Sequence, residues 1–257
     1  MLMAEGAFSG KVVVVTGASR GIGRATAVAF ARAGAQVVVA ARSTQDAPGK
    51  LPGTIDEVVR EIAFFGGQAI AVPTDITKDE QVEALYQRVI AEMGQVDILV
   101  NNAAINYPSP FAEIPMRRWD LVLNVNLRGT VLCTKVFLPH MLARKQGAII
   151  NLSSYMAVHP LPGHLAYGVS KMAIERFTEG LGRELMGTGV AVNCLRIELN
   201  IATEGWTYLN RDVDISTWER PEEAAEAILW LASQPPSFTG RVVTMEEVRR
   251  LRATSEA

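Results

Sequence analysis

Short apolar, β-branched runs alternate along the chain with longer segments whose apolar positions recur at helical spacing. Lys11–Thr16 (KVVVVT) is almost continuously apolar, the pattern of a strand buried on both faces. Gly21–Ala33 follows with helical periodicity and meets a natural stop at Gly34. The same alternation predicts strands at Gln36–Ala41, Gln68–Pro73, Ile98–Asn101, Gly147–Leu152, Val190–Arg196 and Arg241–Thr244. Helices are predicted at Thr54–Phe65, Asp79–Met93, Arg118–Arg144, Leu165–Met186 and Pro221–Ser233. Strand then helix, repeated, implies an α/β fold: a doubly wound parallel sheet of about seven strands, with helices on both faces and right-handed crossovers. No repeat or linker divides residues 1–257, so one domain is expected. Two excursions interrupt the pattern. Ser43–Gly53 is rich in proline and glycine, and Glu204–Arg220 in tryptophan and tyrosine.

Composition narrows the class. The 257 residues are 49% hydrophobic and 20% charged, enough apolar material for a core without disulfides or a structural metal. Basic residues number 25 and acidic 27, so nothing in the bulk charge points to nucleic acid. Cys133 and Cys194 form no CxxC pair and lie far from any histidine cluster; buried thiols are expected, and no metal site. Met1–Gly10 has no secretory pattern, and no uncharged apolar run of about 18 residues is evident, so a cytoplasmic protein without a membrane span is expected.

Thr16-Gly17-Ala18-Ser19-Arg20-Gly21-Ile22-Gly23 joins the first strand to the first helix. Glycines there allow a tight turn and close backbone approach to a pyrophosphate, whose charge meets the free N–H groups of the helix start. A dinucleotide-binding turn is therefore expected at Gly17, Ser19, Arg20, Gly21, Ile22 and Gly23. The ribose contact should lie at the end of the second strand, where an acidic residue would favour NAD. Here Ala41 is followed by Arg42 and Ser43, with no carboxylate. A guanidinium pairs well with a 2′-phosphate, so NADP(H) is expected over NAD(H), with Arg20 and Arg42 both within reach.

Tyr167-Gly168-Val169-Ser170-Lys171 falls on a predicted helix, where residues four apart share a face. A phenol with an ordinary pKa near ~10 becomes a useful acid/base when a nearby ammonium favours its phenolate. Ser154, thirteen residues earlier, follows the fifth strand near the ligand-binding edge of the sheet. Ser153 is the alternative hydroxyl. Tyr155 reads as pocket wall, and His159 and His164 as either loop residues or substrate contacts. His140 carries no functional expectation.

The Gly-rich turn, Asp75 after the third strand, Asn101-Asn102-Ala103-Ala104 after the fourth, Asn126 in V-N-L, Ser154 and Y-G-V-S-K occur in order. With them, the chain resembles the single-domain short-chain dehydrogenase/reductase family over nearly its whole length. The resemblance implies a Rossmann sheet and an oxidoreductase interconverting a carbonyl and an alcohol. It implies Tyr167 as proton donor or acceptor and Lys171 as the group that holds the nicotinamide ribose and lowers the tyrosine pKa. Ser154 would orient the substrate oxygen, and Asn126 would keep a relay water behind Lys171. Asp75 and Ile76 would contact adenine, Asn102, Ala103 and Ala104 the adenosine side, and Thr203 the diphosphate or carboxamide. A small-molecule carbonyl or alcohol partner and a homodimer or homotetramer are also implied. The alternative is a catalytically silent, NADP(H)-binding redox sensor on the same fold.

Two departures stand out. Ile197-Glu198 replaces the family's Pro-Gly after the sixth strand, and R-V-V-T-M-E-E-V replaces its C-terminal V-D-G-G. Trp206, Tyr208 and Trp218 crowd a substrate lid expected around 204–220. They suit an apolar or ring-shaped substrate, and equally a role as anchors.

Overall fold

A computed structural model of the chain describes residues 6–209 and 214–255. Within them seven strands form: β1 (Val12–Thr16), β2 (Gln36–Ala41), β3 (Gln68–Pro73), β4 (Ile98–Asn101), β5 (Gly147–Ser154), β6 (Val190–Ile197) and β7 (Arg241–Thr244). All pair in parallel, in the order β3-β2-β1-β4-β5-β6-β7. The helices are α1 (Gly21–Arg32), α2 (Ile55–Phe64), α3 (Asp79–Met93), α4 (Met116–Leu123), α5 (Gly129–Arg144), α6 (Leu165–Glu184), α7 (Glu204–Leu209), α8 (Pro221–Ala232) and α9 (Met245–Ser255).

The apolar strands fill two cores because successive side chains point to opposite faces. Val13, Val15, Val37, Val39 and Val100 meet Phe30 of α1, Ile62 of α2 and Ile228 of α8. Val12, Val14, Val38 and Leu99 meet Leu85 of α3 and Phe137 of α5 on the other side. Strand order reverses between β1 and β4, which opens a crevice beyond the C-terminal strand ends, the place where such sheets bind ligands.

The long helix and the lid differ in detail from the pattern-based expectation. The long helix begins at Met116 and is broken by a π-helical turn over Asn124–Arg128. Its run Met116–Arg144 is long and apolar enough, by length and composition, to cross a membrane, although Arg128 and Lys135 interrupt it and no uncharged stretch of 18 residues occurs. In this fold Cys133, Phe137 and Met141 of that run are fully buried against the sheet. Part of the expected lid is the short helix α7; residues 210–213 of the lid, and residues 1–5 of the N-terminal segment, lie outside the described residues.

The described residues end in α9 rather than in strand β7, and the two departures from the family pattern meet there. Thr244 and Glu247 form a reciprocal cap: the Glu247 carboxylate accepts from Thr244 N (2.7 Å), and Thr244 Oγ1 accepts from Glu247 N (3.1 Å). Glu198, at the end of β6, accepts from Met245 N (3.0 Å) and Glu246 N (2.8 Å). A carboxylate at a helix start satisfies free N–H groups and opposes the dipole, which explains an acidic residue in the place of glycine.

Candidate active site

After β1 the backbone turns through Gly17 (φ 65°) and Gly21 (φ 55°), left-handed conformations that disfavour a side chain. Space demands glycine as well: a Cβ on Gly17 would lie 2.7 Å from Ala103 Cα, and one on Gly23 would overlap Asn102 Nδ2 and Gly17 O. Helix α1 then starts with no side-chain cap and no acidic residue in its first turn, a suitable end for an anion. Ser19 is buried in the turn, and Ile22 anchors the helix start on the core.

Asn102 braces this turn from the end of β4. Its amide donates to Thr16 O (2.8 Å) and Gly17 O (3.1 Å), while Thr16 Oγ1 accepts from the N–H groups of Asn102 (3.1 Å) and Ala103 (3.2 Å). The side-chain donors of Asn102 thus shape the cradle, a role beyond the expected adenosine contact. Ala104 is exposed beside it.

Arg20 also has a structural role. Its guanidinium donates to Pro52 O (2.8 Å), Gly53 O (3.0 Å), Leu51 O (3.1 Å) and Ser43 Oγ (3.1 Å). Through Nε and Nη2 Arg20 thus clamps the 43–53 excursion over the glycine turn, a role beyond the expected approach to a 2′-phosphate. Burial holds its pKa below the usual value; Glu204 opposes that shift and the neighbouring Arg42 adds to it. Arg42 itself is exposed. Asp75 Oδ1 accepts from Thr77 N (3.0 Å) and Thr77 Oγ1 (2.8 Å), and Ile76 is buried against Gly129.

Thr203 packs on the helix start, where a Cβ on Gly21 would meet its Cγ2 at 3.2 Å. The same point lies 3.5 Å from Glu204 Oε2, an oxygen buried without a hydrogen-bond partner among the described residues. A carboxylate here is at odds with an anionic ligand. The sequence reading missed it, because only the fold brings α7 onto the start of α1.

At the end of β5, Ser154 Oγ accepts from Met156 N (3.3 Å). Tyr167 and Lys171 face the same region from α6. Burial pushes the Tyr167 phenol up to about 12, against a hydrogen bond with Ser154 that favours the phenolate. Burial also brings the Lys171 ammonium down to about 8; its Nζ donates to Leu152 O (2.8 Å) and lies 5.5 Å from the Tyr167 ring centre. The expected lowering of the tyrosine pKa is therefore reversed among the protein groups. Removing the phenol from water outweighs the Ser154 hydrogen bond.

The alternation of β5 sends the adjacent serines to opposite faces. Ser153 is buried and donates to Glu175 Oε1 (2.6 Å), whose carboxylate is held by Arg196 Nε (2.8 Å) and Nη2 (2.7 Å). Glu175 follows Lys171 by one helical turn and was not singled out from sequence, although its four-residue spacing was visible.

Asn126 is fully buried in the π-turn. Its Oδ1 accepts from Ile105 N (2.8 Å), and its Nδ2 donates to Ile105 O (2.9 Å) and Ser170 Oγ (3.0 Å). The side chain is fully committed to tying the loop after β4 to α6, so any contact with a relay water falls to other atoms. In the outer wall His159 stacks on Tyr155 (4.1 Å between centres), while Trp206 lies 6.2 Å from Trp218 and 6.1 Å from His164.

Comparisons with known proteins show the family and the fold. The family model described as short chain dehydrogenase matches residues 11–213. Hydroxysteroid dehydrogenase-like protein 2 of Danio rerio is 36% identical over 250 residues; the match covers 96% of this chain but 60% of that protein's length. A 3-oxoacyl-(acyl-carrier-protein) reductase of Synechocystis sp. is 34% identical over 247 residues, covering 93% of this chain and 97% of that protein. The crystal structure of a metagenomic short-chain oxidoreductase in complex with NADP superposes with a TM-score of 0.78 at 30% identity, covering 93% of this chain and 97% of the other.

Proposed function

The chain belongs to the short-chain dehydrogenase family, and from that premise we propose that it reduces a ketone or aldehyde with NADPH, or runs the reverse oxidation. The observation that carries this reading is the convergence of Ser154, Tyr167 and Lys171 at the end of β5, in a sheet whose first strand leads through a glycine turn into an uncapped helix start.

The N–H groups of Gly21, Ile22 and Gly23 would hold the diphosphate, with Gly17 and Ser19 shaping the turn and Thr203 closing over it. Arg42 and Ser43 would recognise the 2′-phosphate, Asp75 and Ile76 the adenine side, and Lys171 the ribose hydroxyls. The cofactor, when bound, supplies the hydride. With its pKa near 12, Tyr167 is a phenol at neutral pH and is ready to give its proton to a carbonyl oxygen. Ser154 donates to the same oxygen as negative charge develops there. Lys171 is mostly ammonium at pH 7, and its field favours the phenolate left behind. Asn126 acts by positioning, since it locks α6 against the loop after β4.

The test is absorbance at 340 nm with NADPH or NADH and a panel of aldehydes, ketones, diketones, steroids and acyl thioesters. NADPH should be consumed with at least one carbonyl, and faster than NADH. Faster NADH oxidation would overturn the role of Arg42. Tight cofactor binding with no carbonyl reduced would favour the redox-sensor alternative.

A further inference from the structure

We propose that Asn106 and His164 form a recognition site for a hydroxyl group on the substrate, so that the enzyme favours hydroxy-carbonyl compounds over simple ketones. This inference rests on the oxidoreductase reading above and specifies its substrate class.

Asn106 follows Ile105, whose N–H and C=O are both gripped by Asn126, so its backbone sits on a fixed platform. His164 caps α6 three residues before Tyr167, a spacing that places the two side chains as neighbours on the helix surface. The two recognition residues bond to each other across this gap, Asn106 Nδ2 to His164 Nδ1 at 2.8 Å. An amide nitrogen only donates, so Nδ1 accepts and the imidazole proton lies on Nε2. Burial lowers the His164 pKa, consistent with a neutral ring.

The pair is incomplete. Asn106 Oδ1 is buried with no hydrogen-bond partner among the described residues. Turning the amide over does not help: the oxygen would accept from Nδ1–H, and the nitrogen would become the buried atom without a partner. Either orientation leaves a buried polar atom beside an imidazole whose Nε2 bonds to nothing among the described residues. A hydroxyl, which both donates and accepts, complements either arrangement, whereas a methyl group complements neither. Trp206, 6.1 Å from His164, supplies an apolar wall for the carbon skeleton. The site thus offers a second attachment point on the helix that carries the proton donor.

Two isosteric pairs provide the test: 4-hydroxy-2-butanone against 2-pentanone, and hydroxyacetone against 2-butanone. For the wild type, kcat/KM should favour the hydroxyketone by about tenfold or more, because a site built for a hydroxyl penalises its loss. In Asn106→Leu and His164→Phe that ratio should fall to near one, with NADPH binding by fluorescence retained as the control for folding. A readout without turnover is the melting temperature of the NADPH-loaded wild type. It should rise with 1,3-butanediol and not with 2-pentanol. A wild-type ratio near one, or a ratio unchanged in both variants, overturns the proposal. So does reduction of other carbonyls with none of these four, an outcome that leaves the oxidoreductase reading standing. Failure to reduce any carbonyl removes that reading and the proposal with it.

Discussion

Replacing Asn126 by alanine separates a structural clamp from a group acting directly on the chemistry. The side chain makes three hydrogen bonds at zero exposure: two with the backbone of Ile105 and one with Ser170. Alanine leaves the N–H and C=O of Ile105 without partners in a partly buried place. Ser170 fares better, because its hydroxyl still donates to Tyr167 O (2.7 Å). Each stranded buried group costs about 1–3 kcal/mol, and taking the lower half of that range for both Ile105 groups gives a loss of about 3 kcal/mol. Against a total stability of about 5–15 kcal/mol, that is a large fraction. It corresponds to a fall in Tm of roughly 6–12 °C for a domain of this size. Aspartate should be no better, since its second oxygen would face the carbonyl of Ile105. Urea unfolding followed by tryptophan fluorescence measures the loss. An alanine variant destabilised by less than about 1 kcal/mol yet inactive would refute the clamp and return Asn126 to a direct catalytic role.

Two further outcomes follow from buried charge. Glu204→Gln removes the negative charge beside the start of α1, whose Oε2 has no hydrogen-bond partner among the described residues, and should tighten NADPH binding by about tenfold, the scale of one charge–dipole contact; unchanged or weaker binding by fluorescence titration would show that Glu204 lies clear of the diphosphate. Lys171, brought down to about 8 from 10.5, binds fewer protons folded than unfolded above pH 8, so its contribution to stability rises with pH. From about pH 8 upward the raised thiols of Cys133 and Cys194 act in the opposite direction, and Tyr167 joins them near pH 10. The Lys171 contribution is therefore read as a difference: between pH 8 and 9 the stability of the wild type, from urea unfolding, should change by about 1 kcal/mol more favourably than that of Lys171→Met; equal slopes in the two proteins would contradict it.

The strands were legible because a sheet covered on both faces leaves continuous apolar runs such as Lys11–Thr16, and the glycines because turn geometry excludes other residues. Tyr167, Lys171 and Ser154 could be read from spacing along one helix and one strand. Asn102 and Arg20 were recognisable as members of the cradle, but their hydrogen-bond partners are 85 or 86 and between 23 and 33 residues away, and periodicity carries no such information. Glu204 and Asn106 were missed for the same reason: each matters through a neighbour that tertiary packing supplies. Helix α9 is a different case. Its Thr244-x-x-Glu247 cap was printed in the sequence, but the expectation of a terminal strand concealed it.

The proton-donor role of Tyr167 is tested most directly by the kcat of Tyr167→Phe with NADPH and the best carbonyl from the panel. The phenylalanine keeps the ring packing and removes only the hydroxyl. The account predicts a fall of about 10²–10⁴-fold with NADPH affinity little changed. A variant retaining more than about a tenth of the wild-type rate would contradict it.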